Sequence, residues 1–339
     1  MPTTIHDVAK RLKISITTVS RALDGYDDVA ASTRELVIRT AQEMGYSPNR
    51  AARQLRRRKA ETVGFILPAN AQRFDEPYFT EFISGLGDAL SGQKFDLLVA
   101  NAKSEEMEKS LYQRWIHSRK VDGIVLNRVQ RKDWRVQYLS SVNFPFTALG
   151  KSQDGINYSH IQVDASQGYI DLLSHIREGG FFRPAFIGGQ TDLINHTDRL
   201  KWFKSAVKVA GMSLDEELLI LADMTSSGGY EAAQRLLSMP KPPDALICIN
   251  DETAFGALHA VHDNRLAVGS QVAVAGFDGV QDSAHTEPPL TTLDIPVPEI
   301  ARQLAGMLLK IINGEQLDAS RIVIRPNLQI RASTGDTNI

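Results

Sequence analysis

The chain has 339 residues, of which 42% are hydrophobic and 23% are charged, as is usual for a folded globular protein. This length allows one small domain and a larger domain of two lobes. No apolar run reaches the roughly 20 residues that span a bilayer, and the polar N-terminus does not resemble a secretory signal. We therefore expect a cytoplasmic protein without a membrane partner. The single cysteine, Cys248, excludes an internal disulfide framework and a multi-cysteine metal site, and no cofactor is expected.

The net charge of −2 conceals an uneven distribution along the chain. Residues 1–60 carry twelve Lys or Arg against six Asp or Glu, so the remainder of the chain is acidic. A basic region beside an acidic one is typical of a nucleic-acid-binding module, although a solvated basic surface would have the same composition.

The basic region predicts three short helices. Apolar residues recur at helical spacing from Ile5 to Leu12, and Ser15 is a suitable N-cap for a second helix that ends before Gly25. A third helix is expected from about Ser32 to Met44. Its inward face should comprise Leu36, Val37, Thr40 and Ala41. A helix, a tight turn and a second helix have the spacing of a helix-turn-helix motif.

In such a motif the second helix lies in the major groove, with its N-terminal residues at the base edges. Arg21 could offer a bidentate fork to guanine, and threonine or isoleucine side chains could contact a thymine methyl group. Ser15 and Ser20 suit phosphate contacts, which position the protein without reading sequence. The residues of this region that we expect at the DNA are Thr4, Ser15, Ile16, Thr17, Thr18, Ser20 and Arg21.

From Thr62 onward, short β-rich runs alternate with longer amphipathic runs. Strands are expected at Val63–Leu67, Phe95–Val99, Gly123–Leu126, Phe146–Leu149, Pro184–Ile187, Ala245–Ile249 and Val272–Ala275. Helices are expected at Phe79–Leu90, Glu105–His117, Gln167–Ile176, Leu200–Ala210 and Ala254–Asp263. This alternation predicts an α/β fold with parallel sheets and helices on both faces.

Five ordered stretches of the N-terminal region carry a more specific signal. They are TIHDVA at 4–9, SITTVSRALDG at 15–25, TR at 33–34, GYSPN at 45–49 and AARQL at 51–55. Together they resemble the signature of the LacI/GalR family of bacterial repressors. Lys13 departs from it, because the family usually has glycine in this turn. A lysine at positive φ would cost up to about 1 kcal/mol relative to glycine.

The resemblance implies a hinge that folds when it docks on operator DNA. The residue that matches Leu55 would insert into a base step of the minor groove and bend the duplex, with Ala52 lining the groove and Arg56 facing phosphate. Asn49, Ala52, Leu55 and Arg56 complete the expected DNA-binding set. Residues 57–59 would also face phosphates, with a solvated basic linker as the alternative. Family members are dimers, so the resemblance also implies a homodimer on a pseudo-palindromic operator of double-stranded DNA.

The resemblance further implies that the second domain is similar to periplasmic sugar-binding proteins. The expected divisions are a helix-turn-helix domain at 1–47, a hinge and linker at 48–60, an effector-binding and dimerisation domain at 61–331 and a tail at 332–339. Lobe 1 would comprise about 61–161 and 292–319, and lobe 2 about 162–291 and 320–331. Three crossovers would join the lobes.

A ligand is expected in the cleft between the lobes, at the carboxyl ends of the strands. Arg199 matches the ligand arginine of the family and could donate a fork to vicinal hydroxyls, while Asn250 and Asp278 could bind further sugar hydroxyls. Phe79 matches a position that borders the cleft, and Met224 stands where some relatives have a stacking aromatic. These five residues form the expected effector site, and a sugar or glycoside is the expected effector.

Structural alternatives exist for several of these positions. Asn250 and Asp278 could serve strand-end turns, and Asp198 and Asp251 could cap a helix or brace strands. Arg128 is expected at the surface. Trp202 replaces the glycine that usually follows the arginine motif, which leaves the identity of the effector open.

These observations favour a ligand-responsive, sequence-specific DNA-binding regulator, most simply a repressor of carbohydrate-utilisation genes that a sugar releases from its operator. A ligand-binding protein of transport would explain the second domain but not the basic region. An enzyme is disfavoured, because Cys248 lies in a predicted buried strand without a nearby histidine, and His259 and His262 lack further metal ligands. The sequence leaves open whether the effector weakens or strengthens DNA binding.

Overall fold

A computed structural model describes residues 3–46, 59–68 and 77–335. The chain divides into two compact units, residues 1–60 and residues 61–339, which we call the head and the body. Within the described ranges, no helix is long and apolar enough to cross a membrane.

The head is built from three helices, α1 (Ile5–Leu12), α2 (Ile16–Leu23) and α3 (Ala31–Glu43). The Ser15 hydroxyl accepts a hydrogen bond from the Thr18 N–H at 3.0 Å, which confirms the predicted N-cap of α2. Val37, Thr40 and Ala41 are buried as expected, but Leu36 is 41% exposed. The prediction for Leu36 is wrong. Val37, Thr40 and Ala41 lie on the one face of α3 that packs in the core, and Leu36 lies beside that face.

The tight turn between α1 and α2 passes through Lys13, which has φ 55° and ψ 35°. Lys13, which replaces the glycine usual in the family, therefore adopts a left-handed conformation in which a β-carbon is unfavourable.

The body alternates strands and helices along its length. Its strands, in chain order, are β1 (Thr62–Leu67), β2 (Asp96–Asn101), β3 (Gly123–Leu126), β4 (Phe146–Leu149), β5 (Ser159–Val163), β6 (Pro184–Gly188), β7 (Leu219–Leu221), β8 (Ala245–Cys248), β9 (Ala273–Asp278), β10 (Thr291–Asp294), β11 (Arg321–Ile324) and β12 (Asn327–Gln329). Its helices are α4 (Pro77–Ser91), α5 (Glu105–His117), α6 (Trp134–Ser141), α7 (Ser166–Glu178), α8 (Ile194–Val209), α9 (Ser226–Leu237), α10 (Asp251–Asp263) and α11 (Val297–Asn313). Short 3-10 helices lie at Glu216–Leu218, Gln281–Ala284 and Ala332–Thr334.

Each lobe has its own sheet. The sheet of lobe 1 has the order β11-β5-β4-β3-β1-β2, with parallel neighbours throughout. The sheet of lobe 2 has the order β12-β10-β9-β8-β6-β7, in which only β12 runs antiparallel to its neighbour among the described strands. Helices cover these sheets, and α11 packs closely on α4. A β-carbon at Gly85 would lie 2.3 Å from the Pro298 carbonyl oxygen, so the contact between these two helices requires glycine there.

The chain crosses between the lobes after β5, β10 and β11. The expected lobe boundaries at 161/162, 291/292 and 319/320 are therefore each a few residues early. The sequence pattern did not predict these three strands, because they contain polar residues: Ser159–Val163, Thr291–Asp294 and Arg321–Ile324. Each strand is paired along its length before the chain crosses to the other lobe.

The expected tail at 332–339 is also revised. Ser333 and Thr334 are fully buried. The Ser333 hydroxyl donates to the Val274 carbonyl at 2.6 Å and accepts from the Thr291 N–H at 2.7 Å. Residues 332–335 therefore belong to lobe 2, because their polar groups complete hydrogen bonds of its sheet.

Candidate DNA-binding surface and effector cleft

Helix α2 buries one face in the head and presents the other to solvent. Val19 and Ala22 pack in the core. The residues that we expected at the DNA are all exposed or partly exposed: Thr4, Ser15, Ile16, Thr17, Thr18, Ser20 and Arg21. Ile16 is 40% exposed, so an apolar side chain is available at the first turn of α2 for contact with a thymine methyl group.

Arg21 is held in place by two neighbours within the head. Its Nε donates to the Asp28 Oδ1 at 3.1 Å, and its Nη2 contacts the Asp28 Oδ2. The guanidinium carbon also lies 4.7 Å from the centre of the Tyr26 ring. The flat face and the fork of Arg21 are thus both occupied by side chains of the loop that follows α2.

The other expected DNA-binding residues, Asn49, Ala52, Leu55 and Arg56, lie outside the described residues. The same holds for all but the last two positions of the expected hinge at 48–60.

A cleft between the two lobes brings together most of the expected effector residues. Its wall on lobe 1 includes Tyr78, Asn127 and Arg128, and its wall on lobe 2 includes Asn195, Arg199, Met224, Asn250 and Asp278. Four of the five expected residues, Arg199, Met224, Asn250 and Asp278, therefore meet in one cavity. They come from α8, the loop after β7 and the ends of β8 and β9.

Arg199 and Asp278 form a buried ion pair in this cavity. The Arg199 Nη2 lies 3.0 Å from the Asp278 Oδ1, and Nη1 donates to the Ile249 carbonyl. The guanidinium carbon is 3.5 Å from the centre of the Phe277 ring. Burial raises the pKa of Asp278, and the positive charge of Arg199 opposes that rise. The pair offers donors and an acceptor at one place, as recognition of a vicinal diol requires.

Asn250 has a structural task in addition to lining the cavity. Its Oδ1 accepts from the N–H and the hydroxyl of Thr253 at 3.1 and 2.5 Å, which caps α10. Its Nδ2 donates to the Met224 carbonyl at 3.1 Å. The strand-end alternative weighed for Asn250 is thus present in the structure, and Met224 is fixed through its main chain at φ 68°.

Phe79 does not line the cavity that holds the other four residues. It is fully buried in the core, where its ring lies 6.4 Å from that of Phe65. The neighbouring Tyr78 lines the cleft instead, and its hydroxyl lies within hydrogen-bonding distance of the Asn127 side chain. The shift by one residue follows from α4, in which successive side chains point in different directions.

Both regions of the chain match known protein families. Residues 4–49 match the bacterial regulatory proteins of the lacI family, and residues 173–334 match the periplasmic binding protein-like domain. The chain is 32% identical over 335 residues to the HTH-type transcriptional regulator CelR of Thermobifida fusca, an alignment that covers 97% of this chain and 98% of the relative.

The chain belongs to the LacI family of bacterial regulatory proteins. It is also 32% identical over 339 residues to the HTH-type transcriptional regulator AglR of Rhizobium meliloti, covering 99% of this chain and 95% of that one. Among solved structures, a complex of the transcriptional regulator CelR with cellobiose superposes with a TM-score of 0.75 at 30% identity, covering 98% of this chain and 99% of that one. The lac repressor dimer bound to operator and the anti-inducer ONPF has a TM-score of 0.84 at 22% identity and covers 99% and 100% of the two chains, which confirms the predicted fold.

In this LacI-family regulator, Arg128 lies in the cleft and not at the surface as expected. It is 8% exposed, lines the cavity, and places its guanidinium carbon 4.7 Å from the centre of the Phe79 ring. Its φ of 49° turns the chain sharply after β3. The signal in the sequence was a weak resemblance of the stretch 127–138 to relatives that respond to glycosides, which did not place Arg128 in the cleft.

A buried ion pair supports the loop that carries Arg128. Arg135 binds Asp133 through two hydrogen bonds, Nε to Oδ1 at 2.9 Å and Nη2 to Oδ2 at 2.7 Å, and Nη2 also donates to the Arg128 carbonyl at 2.9 Å. Asp133 accepts a further hydrogen bond from the Gln130 N–H at 2.9 Å. A buried, bidentate pair of this kind fixes geometry, so the loop is held firmly on lobe 1.

The same loop contacts lobe 2 through its main chain. The Arg131 N–H donates to the Asp192 carbonyl at 2.8 Å, and the Ile194 N–H donates to the Val129 carbonyl at 3.0 Å. We call the pairing of segments 129–131 and 192–194 the interlobe bridge. It lies beside the effector cleft, because Val129 and Ile194 also line the cavity.

Asp251 acts as a brace within lobe 2, the alternative that we weighed for it. Its Oδ1 accepts from the Thr292 hydroxyl at 2.7 Å, and its Oδ2 accepts from the Val280 N–H at 2.9 Å. Burial raises the pKa of Asp251 well above its usual range, and the Asp278 carboxylate raises it further. This brace fixes the loop that follows Asp278.

Proposed function

We propose that this LacI-family protein is a cytoplasmic repressor of carbohydrate-utilisation genes that binds a pseudo-palindromic operator as a homodimer and is released by a sugar. The buried pair of Arg199 and Asp278 in the interlobe cleft is the observation that carries the sugar assignment. It offers donors and an acceptor to adjacent hydroxyls, and Arg128 adds further donors from the wall of lobe 1. The cellobiose complex of CelR supports this assignment by its similarity to the present chain.

The DNA-binding part of the proposal rests on the exposed face of α2 and on the basic residues of the N-terminal region. The lac repressor dimer bound to its operator has the same fold, which supports the dimeric arrangement. If a sugar changes the relative orientation of the lobes, sugar and operator affinities must be coupled reciprocally, typically by about 1–3 kcal/mol.

We propose binding rather than catalysis as the activity. Among the described residues no group of three or more His, Cys, Asp or Glu side chains could hold a metal ion. Cys248 is buried in β8, and burial raises the pKa of its thiol. A thiol in that state is a poor nucleophile.

The proposal is tested with DNA from upstream of the gene and of its neighbours. The purified protein should protect a two-fold symmetric site in a footprint at physiological salt, and a sugar that raises its melting temperature should release that site. Leu55→Ala should weaken operator binding far more than binding to random DNA, if Leu55 inserts into a base step. Equal binding to operator and bulk competitor DNA, with and without sugars, would exclude the proposed function.

A further inference from the structure

The effector cleft continues beyond the pair of Arg199 and Asp278. One compartment, the inner one, is bounded by Met224, Asn250 and Asp278. A second, the outer compartment, is bounded by Trp202, Asp198 and Gln162. The two share a boundary that includes Asn127, Asn195 and Arg199, so the compartments adjoin each other.

We propose that the outer compartment is a second sugar subsite in which one face of a pyranose ring stacks on the indole of Trp202. The effector would then be a disaccharide, with one ring at Arg199 and Asp278 and the other at Trp202. This inference rests on the proposed function, since it specifies the sugar that the same cleft takes.

The placement of Trp202 follows from the geometry of α8. Asn195, Asp198 and Trp202 are three and four residues apart in succession, so they form a stripe on one face of the helix. Arg199 is next to this stripe. It precedes Trp202 by about one turn, so the two residues are about 5 Å apart along the helix axis. That distance is comparable to the length of one sugar ring, so adjacent rings of one ligand can reach Arg199 and Trp202.

Trp202 and Arg199 rest on a common aromatic row. The Trp202 ring centre lies 6.4 Å from that of Tyr169, and the Tyr169 ring is stacked 6.2 Å from that of Phe277. Phe277 in turn lies beneath the Arg199 guanidinium. The row fixes the indole relative to the inner compartment, and a preorganised aromatic surface binds an apolar ring face at low entropic cost.

The polar groups of the outer compartment suit hydroxyls. The Asp198 carboxylate and the Gln162 amide line it, and neither side chain has a hydrogen bond to another described residue. Burial raises the pKa of Asp198, which reflects a carboxylate shielded from water. Leu149 and Val163 also line the compartment, so it combines an aromatic surface, aliphatic side chains and polar groups.

The test compares matched monosaccharides and disaccharides on the full-length protein. We would titrate glucose, galactose, cellobiose, maltose, lactose and melibiose, with cytidine and adenosine as ring-shaped competitors, into the wild type and into Trp202→Ala and Trp202→Phe. At least one disaccharide should bind roughly tenfold or more tightly than its component monosaccharide. Trp202→Ala should lower disaccharide affinity and remove most of this preference, while Trp202→Phe should retain part of it.

Fluorescence gives a readout that a structural role of Trp202 would not move. The chain has three tryptophans, and the disaccharide-induced change in emission should be lost in Trp202→Phe and retained in Trp134→Phe. Trp134 lies in lobe 1 against Tyr112, outside the cleft lining, and serves as the matched control.

Three outcomes would overturn the subsite. If a monosaccharide binds as tightly as every disaccharide and Trp202→Ala changes neither affinity, the outer compartment is not a subsite, although the proposed function stands. A nucleoside that binds in preference to all sugars would assign Trp202 to a base and would also remove the sugar assignment. If no compound of the panel binds while a symmetric operator is still protected, both the subsite and the sugar assignment fail, and the DNA-binding function alone remains.

Discussion

Arg199 and Asp278 are 79 residues apart in the sequence, yet their side chains meet at 3.0 Å with less than a tenth of either exposed. Asp278 holds φ 105° at the end of β9, a conformation that costs a non-glycine residue about 1–3 kcal/mol. Such strain persists where the surroundings over-determine it, and it is concentrated at ligand-binding sites. The surrounding fold therefore holds the backbone of Asp278 in this strained conformation and so positions its carboxylate.

Removing the charge of this carboxylate should separate ligand response from DNA binding. We expect Asp278→Asn to weaken sugar binding by at least about a hundredfold and to leave operator affinity without sugar within about threefold, since charge-assisted hydrogen bonds contribute about 1.5–3 kcal/mol each. The variant should also lose about 3–5 kcal/mol of unfolding free energy, because Arg199 is left as an uncompensated buried charge. Gel shifts with and without sugar, and urea unfolding, measure these effects.

The control is Asp263→Asn, which neutralises a carboxylate of α10 that binds the Tyr230 hydroxyl at 2.9 Å, in an exposed hydrogen bond. It should behave as wild type in both assays. Sugar-induced release that survives in Asp278→Asn would remove this residue from the effector site.

Asp251 should make stability depend on pH in an unusual direction. Its pKa is raised in the folded state, whereas in the unfolded chain it is about 3.9. At a pH between these two pKa values, the carboxyl of Asp251 is protonated in the folded protein and ionised in the unfolded chain. Stability from this group is therefore full at low pH and is lost as pH rises through the folded pKa. Urea unfolding of wild type and Asp251→Asn from pH 5 to pH 8 should show a difference that shifts in favour of Asp251→Asn as pH rises. A difference independent of pH would show that Asp251 titrates normally.

The interlobe bridge should contribute to effector affinity, because a ligand held between the lobes benefits from contacts that keep them together. Arg131→Pro removes the N–H that donates to the Asp192 carbonyl. One hydrogen bond contributes about 0.5–1.5 kcal/mol, so we expect sugar affinity to fall roughly two- to tenfold in calorimetric titration. Arg131→Ala keeps the N–H and is the matched control. Similar losses in both variants would assign the effect to the side chain, and no loss in either would exclude a role for the bridge.

The sequence predicted most of the fold where periodicity and apolar runs were clear. The bounds of α5, β3 and β4 agree with those expected at Glu105–His117, Gly123–Leu126 and Phe146–Leu149. The crossovers were placed early because β5, β10 and β11 contain polar residues that pair within the sheets. Of these three, only β11 is an edge strand, and β10 is buried in spite of its two threonines, so hydrophobicity along the sequence did not indicate the burial of these strands.

The candidate site was predictable where a residue follows a strand or belongs to a motif. Arg199, Asn250 and Asp278 are expected in the cleft for this reason, and all three line it. Arg128 and Tyr78 were missed, because the sharp turn at Arg128 and the side-chain directions on α4 depend on tertiary packing. A brace is one of the alternatives that the sequence offers for Asp251, but its partner Thr292 is 41 residues away and no local pattern indicates it.

Arg21 should read a guanine, and its contacts in the head indicate how readily it can do so. The side chains of Arg21 and Asp28 are 42% and 56% exposed, and ion pairs this exposed contribute at most about 1 kcal/mol. The guanidinium can therefore leave Asp28 for a base at small cost. Arg21→Lys should lose about 1–3 kcal/mol of preference at one base pair of each half-site, since lysine lacks the bidentate fork. Competition gel shifts with singly substituted operators measure this preference.

Asp28 competes for the same fork, so Asp28→Asn should raise affinity for operator by up to about 1 kcal/mol without changing the preferred base. Asp27→Asn is the matched control, because Asp27 lies in the same loop and does not contact Arg21. The Asp27 Oδ1 lies 4.0 Å from the Arg34 Nη2. Both variants remove one negative charge near the DNA, and both should strengthen binding to random DNA slightly. The excess effect of Asp28→Asn on operator over random DNA isolates the release of Arg21. If the two variants gain equally on both kinds of DNA, the pair of Arg21 and Asp28 acts only through net charge, and Arg21 is not restrained by it.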